Sequence, residues 1–234
     1  MTLSTPSIDW KSEVWTNAPL IEVVFQEKRQ AAEKELSNYT EVDYQSDLEA
    51  LKSWSGTLIL HGLSGSGRTT QLAFFENLEG FTRIIPWTNR PLRPGEVEWR
   101  EVISRSKDEI EDTYARGGNV FIERYWDRRY FYDFPENSNT TFLTDPTQVG
   151  PEMKAKLPKS LVIWFEIPFS DAVERAFYNR GDSIDAVRTR TSAEGLQFNV
   201  TNHESRDIDI IATLEPQKVH RLLVKKVAEK IKQL

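Results

Sequence analysis

The segment Gly62-Leu-Ser-Gly-Ser-Gly67-Arg68-Thr69 limits what this chain can fold into more than any other stretch. An apolar run, Thr57 to His61 (TLILH), precedes it. A helical pattern from Thr69 to Leu78 follows, with Leu72, Phe75 and Leu78 on one side. Strand, glycine-rich turn and helix in that order supply the context that G-x-x-x-x-G-[K/R]-[ST] requires. Glycines at 62, 65 and 67 let the backbone curl until several N–H groups point at one anion. The helix that starts at the turn adds the positive end of its dipole. The expected contacts of a bound ATP are therefore Gly62, Ser64, Gly65, Ser66, Gly67, Arg68, Thr69 and Thr70. The Thr69 hydroxyl is placed to ligate the accompanying Mg2+. Arg68 stands where lysine is usual. A guanidinium keeps the charge but is larger, planar and bidentate. It either clamps phosphate or marks a site that binds without efficient turnover. A Gly/Ser turn with no ligand is the plainer alternative.

Composition narrows the setting. With 234 residues, the chain holds one large domain or one domain and an appendage. A net charge of -6 argues against a general nucleic-acid binder. There is no cysteine, so disulfides and thiolate metal sites are excluded. Histidines 61, 203 and 220 are too few and too scattered for a zinc site. No apolar run is long enough to span a membrane. The segment MTLSTPSIDWKSE has neither the basic start nor the apolar core of a secretory signal, so a cytoplasmic location is expected.

Two regions differ in pattern. Residues 1–53 read as a mostly helical extension of unassigned role, with a protein partner as one use for it. Leu20 to Phe25 (LIEVVF) suggests a short strand, Gln26 to Leu36 a helix, and Ser46 to Trp54 a second helix capped by Ser46 or Asp47. Residues 54–234 alternate strands with helices. Strands are expected at Thr57 to His61, Thr82 to Trp87, Asn119 to Glu123, Thr140 to Thr144, Leu161 to Ile167 and Asp207 to Ala212. Helices are expected after Ser106, where Ser106 and Glu109 form a capping box, at Asp171 to Asn179, at Ile184 to Phe198 and at Gln217 to Ile231. This alternation predicts an α/β fold around a mainly parallel sheet flanked by helices.

Downstream of the second expected strand lies Trp87-Thr-Asn-Arg90-Pro-Leu-Arg93-Pro-Gly-Glu96. Prolines at 91 and 94 stiffen a loop that presents two guanidiniums, a pairing suited to a phosphate monoester. A solvated basic loop is the alternative. Glu123 ends a strand, where ligands gather in open α/β sheets. Its carboxylate either accepts a pair of hydrogen bonds from a guanine edge or pairs with Arg124, Arg128 or Arg129 at the surface.

From the phosphate loop and the Trp87 to Glu96 segment, the chain resembles guanylate kinase. The resemblance spans about residues 55 to 232 and implies a P-loop kinase fold with a helical lid at about 178–200 and a small acceptor-binding part at about 88–135. By resemblance Arg90 and Arg93 grip the acceptor phosphate, and Glu123, in Phe121-Ile-Glu123, reads the guanine edge. Tyr132, in Phe131-Tyr132-Asp133-Phe134, matches a phosphate-contacting tyrosine. Asp145, displaced by one position, is the remaining acceptor-side carboxylate. Arg180 and Arg190 match lid arginines that neutralise the transferring group, and with Arg68 they complete the expected catalytic set; helix-surface charge is their plainer reading. The implied activity is transfer of the ATP γ-phosphoryl group to a nucleoside monophosphate, GMP first. A weakly active or inactive module that binds nucleotide or a protein, and a kinase of another small phosphorylated acceptor, are the alternatives. Pro86 stands at a base-reading serine and Val102 near a phosphate-binding tyrosine, so the departures gather on the acceptor side.

Overall fold

The structure is a computed structural model. It describes residues 18–234 apart from 77, 94–95, 126, 137–138, 147–148, 169, 173 and 176–205. In chain order the described elements are helices α1 (Ala18–Ser37) and α2 (Glu41–Trp54), strand β1 (Thr57–Gly62) and helix α3 (Arg68–Phe75). Then come β2 (Phe81–Arg83), β3 (Trp87–Thr88), β4 (Ile103–Ser104), α4 (Lys107–Ala115), β5 (Val120–Tyr125) and β6 (Arg128–Asp133). The rest are β7 (Thr141–Thr144), α5 (Gly150–Lys156), β8 (Ser160–Glu166), β9 (Ile208–Ile211) and α6 (Pro216–Ile231).

Five strands form an all-parallel sheet in the order β2-β7-β1-β8-β9. β1 lies at its centre with every residue buried, which is why its sequence is a continuous apolar run and not an alternation. On one face Leu58, Leu60, Leu161, Ile163 and Phe165 pack with Leu72 and Phe75 of α3, Leu48 and Leu51 of α2, and Leu222, Leu223 and Val227 of α6. On the other, Ile59 and Val162 meet Met153 of α5 and Leu157. A second, four-stranded sheet runs β4-β3-β6-β5. There β3 pairs in parallel with β4 and antiparallel with β6, and α4 seals one face through Ile110 against Ile122 and Phe131. No helix among the described residues is long and apolar enough to cross a membrane.

The structure departs from the expected elements in several places. Leu20 to Phe25 is no strand but the first half of α1. A short apolar run does not separate strand from helix by itself. Here the strong helix formers after Gln26 carry the helix back through it, with Phe25 packed on the core and Val23 and Val24 exposed. α2 starts at Glu41, earlier than expected, because Thr40 and Asp43 form a complete capping box. Asp47 is no cap; it is buried and accepts hydrogen bonds from Tyr39 and Lys232. The strand expected from Thr82 to Trp87 splits, β2 joining the parallel sheet and β3 the smaller one. β6 and α5 had no counterpart in the sequence reading. The N-cap of α5, Val149, makes no side-chain cap hydrogen bond, so the helix start carries no cap signature. The helices of residues 18–54 do not stand apart, since Ala32, Leu48 and Leu51 share the main core and Thr141 Oγ1 donates to Leu51 O. The lid region, with Arg180 and Arg190, lies outside the described residues.

Candidate functional site

The phosphate loop opens at the C-terminal end of β1, between β7 and β8, the crevice where open α/β sheets bind ligands. Gly65 and Gly67 take φ values of 90° and 89°, which other residues adopt only under strain. A Cβ on Gly65 would lie 2.5 Å from the Ala172 carbonyl oxygen, so the loop also needs glycine for clearance. Gly67 is the N-cap of α3 and brings no side-chain cap. The curled backbone thus offers the start of the helix to an anion.

Beneath the loop the side chains are tied to the segment that follows β7. Arg68 is 9% exposed, and its Nη1 donates to Pro146 O at 2.8 Å and to Asp145 O at 3.2 Å. The Thr69 hydroxyl donates to Asp145 Oδ2 at 3.3 Å. Asp145 therefore sits beside Thr69 at the phosphate loop. Because β7 is the neighbour of β1, a carboxylate just past its end faces the phosphate loop, a consequence of strand order that the sequence does not display. His61, at 1% exposure, shares the Pro146 carbonyl through Nδ1 at 3.1 Å. Burial, reinforced by the Arg68 charge, lowers its pKa to about 3, so this imidazole is neutral.

Thr69 and Asp145 fit the hard, oxygen-ligated Mg2+ that accompanies a nucleoside triphosphate. No group of three or more His, Cys, Asp or Glu among the described residues forms a dedicated metal cage. A hydroxyl and a carboxylate completed by substrate phosphates is the arrangement this ion favours. Next to the loop lies a cavity of about 330 Å3 walled by Thr70, Gln71, Arg175, Leu214 and Val219. Gln71 Nε2 donates to Pro216 O and Arg175 Nη1 to Ala212 O, fixing the start of α6 and the end of β9 against the loop.

The smaller sheet gathers the other expected residues. Glu123 on β5 is 2% exposed and accepts from Tyr132 Oη at 3.0 Å and from Val149 N at 3.4 Å. The alternative of surface pairing is overturned: Arg124 and Arg129 pair with Glu111 instead. Tyr132, expected to contact the acceptor phosphate, has its hydroxyl engaged by the Glu123 carboxylate. Arg90 is buried, its Nη1 and Nη2 each 2.6 Å from a Glu96 oxygen and its Nε donating to Tyr130 Oη. Burial alone would raise the Glu96 pKa; hydrogen bonds from Arg90 and the Arg93 amide overcome it and lower the pKa. Arg93, partly exposed, has its Nη1 3.8 Å from Glu96. Glu96 is thus the brace of the Arg90–Arg93 loop. The sequence offered it as part of the motif, with no sign of that role.

Strand register adds a feature. Glu123 pairs with Tyr130, Tyr130 with Thr88, and Thr88 with Ser104, so the four side chains form a row across one face of the sheet. The row ends at a cavity of about 490 Å3 whose walls include Thr88, Arg90, Ser104 and Arg105.

A phosphate loop at the end of a central parallel strand, a carboxylate beside its threonine and a small appended sheet define the fold of a P-loop nucleotide kinase. Comparison with known proteins agrees. No family model matches the chain. It is 24% identical over 141 residues to a guanylate kinase from Lactococcus lactis subsp. lactis, covering 57% of this chain and 69% of that one. With a guanylate kinase from Oceanobacillus iheyensis it is 28% identical over 140 residues, covering 56% and 68%. The crystal structure of guanylate kinase from Anaplasma phagocytophilum superposes with a TM-score of 0.55 at 14% identity, covering 78% of this chain and 87% of that one. The chain is thus a divergent sequence that is similar to guanylate kinases over somewhat more than half of its length and shares their fold.

Proposed function

We propose that the protein is a magnesium-dependent nucleotide kinase that moves the γ-phosphoryl group of ATP to a nucleoside monophosphate, with GMP the favoured acceptor. The observation that carries this reading is the pairing of the Thr69 hydroxyl with Asp145 at the mouth of a glycine-built phosphate loop. In it, the loop amides and Arg68 hold the β- and γ-phosphates, and Thr69 and Asp145 hold the ion. Bound there, Mg2+ neutralises charge on the phosphates. The cavity walled by Arg175, Leu214 and Val219 takes the adenine. Glu123, a buried carboxylate within β5, which runs two residues past the expected strand end, accepts from the acceptor base. The braced Arg90–Arg93 loop faces its phosphate, and Arg180 and Arg190 close over the transferring group. Catalysis then rests on positioning and charge neutralisation, as phosphoryl transfer between bound substrates allows.

A second reading has its own support. Arg68 is turned onto two backbone carbonyls, and Arg90 is committed to Glu96, so two expected phosphate ligands already have internal partners. This favours a module that binds nucleotide with little turnover. ADP formation from Mg-ATP across GMP, AMP, CMP, UMP and a set of sugar phosphates separates the two. Acceptor-dependent ADP with GMP fastest supports the kinase. Nucleotide binding without acceptor-dependent ADP leaves the module.

A further inference from the structure

We infer that His61 is a positioning residue of the phosphate loop: it keeps the Asp145–Pro146 pair, and with it the Asp145 carboxylate, beside Thr69 when Arg68 turns to a bound triphosphate. The inference rests on the reading of Thr69 and Asp145 as the groups that hold Mg2+.

Asp145 and Pro146 follow directly on β7. Proline fixes its own φ and confines the residue before it to extended backbone, so the pair is stiff. Both of its carbonyls are held. Arg68 Nη1 donates to each, at 3.2 Å to Asp145 O and at 2.8 Å to Pro146 O. His61 Nδ1 reaches the same Pro146 carbonyl from β1 at 3.1 Å. A carbonyl only accepts and this imidazole is neutral, so its proton is on Nδ1. A stiff pair tied to α3 and to β1 sets its carboxylate against the loop, where Asp145 Oδ2 accepts from the Thr69 hydroxyl at 3.3 Å.

The two donors differ in how freely they can leave. Arg68 is the first residue of α3, at the phosphate loop, and its charge is drawn to a triphosphate. His61 is fixed. It is the penultimate residue of the central strand, 1% exposed and in register with Trp164. Its ring centroid lies 5.3 Å from that of Trp164. α5 starts at Gly150, where a Cβ would fall 3.0 Å from His61 Nδ1, so the helix start packs directly against the imidazole. When Arg68 moves onto phosphate, the Pro146 carbonyl keeps His61 as a partner. Without His61 that move would strand a buried acceptor, which costs more than one hydrogen bond returns. The Asp145–Pro146 pair would then shift to find a new partner, and the carboxylate would shift with it. The carbonyl bonds of Arg68 are thus resting contacts, exchanged for phosphate on binding.

The test is the gain in ATP affinity that Mg2+ brings to the whole protein, measured by calorimetry with and without the ion. Arg68→Ala is expected to weaken ATP binding in both conditions and to keep the gain, because His61 still holds Pro146. His61→Leu, similar in size but without a donor, is expected to cut the gain about tenfold. His61→Asn, whose amide N–H falls near the place of Nδ1, is expected to bring it back to within about threefold of wild type. In an Asp145→Asn background, His61→Leu is expected to change nothing further, since it acts through that carboxylate. ATP binding without Mg2+ certifies that each variant is folded. Should His61→Leu unfold, His61→Gln, which sets its amide away from Pro146, replaces it with the same expected loss. A full gain in His61→Leu overturns the inference. So does a gain lost equally in Arg68→Ala or His61→Asn, or a His61→Leu loss that persists beside Asp145→Asn. If Asp145→Asn by itself keeps the full gain, the magnesium assignment falls and takes the inference with it. Loss there with none in His61→Leu removes only the role of His61.

Discussion

At the scale of single residues, the site is a set of charges whose partners decide their roles. Arg68 has a motif position and two carbonyl partners, so truncation removes both a phosphate contact and a tie to the loop after β7. Arg68→Ala is expected to weaken Mg-ATP binding by about 1.5–3 kcal/mol, the range for charge-assisted hydrogen bonds; calorimetry showing unchanged affinity contradicts the donor-site assignment. Arg90 is different because it is buried and forms a bidentate pair with Glu96. Removing it leaves the partly buried Glu96 carboxylate with only its Arg93 contacts, and Arg90→Ala is expected to cost about 2 kcal/mol of stability, visible in denaturant unfolding. A loss confined to acceptor KM, with stability intact, argues against the bracing role. Glu123→Gln keeps the shape but loses the charge that accepts two donors. It is expected to lower kcat/KM for GMP about tenfold or more, and for AMP much less, since adenine offers no such donor pair. Equal losses for the two nucleotides mean that Glu123 does not read the base.

At the scale of elements, helix ends and strand ends do most of the placing. The Ser106 box was legible because both partners sit at fixed offsets in the sequence. The Thr40 box, equally complete, is obscured in the sequence by Ser46 and Asp47, which lie nearer the apolar residues. β6 escaped because RRYFYD carries charge at its start and finds its place only against β5 and β3. The helix interface of α2, α3 and α6 holds His220, stacked on Phe74 at 4.6 Å, edge-on to Phe75 and hydrogen-bonded through Nε2 to Tyr44 Oη. Burial, with a smaller contribution from the Arg221 charge, lowers its pKa to about 4. The folded state therefore takes up this proton only below that value, while the unfolded chain takes it up near 6.5. Stability is full above about pH 6.5 and falls as pH drops toward 4, by about 3 kcal/mol for this group at the lower end. His220→Gln is expected to flatten the pH dependence of unfolding free energy across that window. An unchanged slope contradicts the assignment of a neutral, buried His220.

At the scale of the molecule, the parallel sheet and its loop were readable because their signals are local: an apolar strand, three glycines and a helix pattern within 22 residues (57–78). What was not readable depends on which strands become neighbours. Asp145 meets the phosphate loop only because β7 lies beside β1. The same dependence makes residues 18–54 part of the main core, although their composition sets them apart. The central claim is that this assembly transfers a phosphoryl group between two bound nucleotides. Phosphorus NMR of the intact protein with Mg-ATP and GMP observes that transfer itself. The account predicts ADP and GDP rising together in equal amounts with little inorganic phosphate, and no reaction when EDTA removes the magnesium. Inorganic phosphate without GDP, or an unchanged ATP spectrum under conditions where both nucleotides bind, contradicts it.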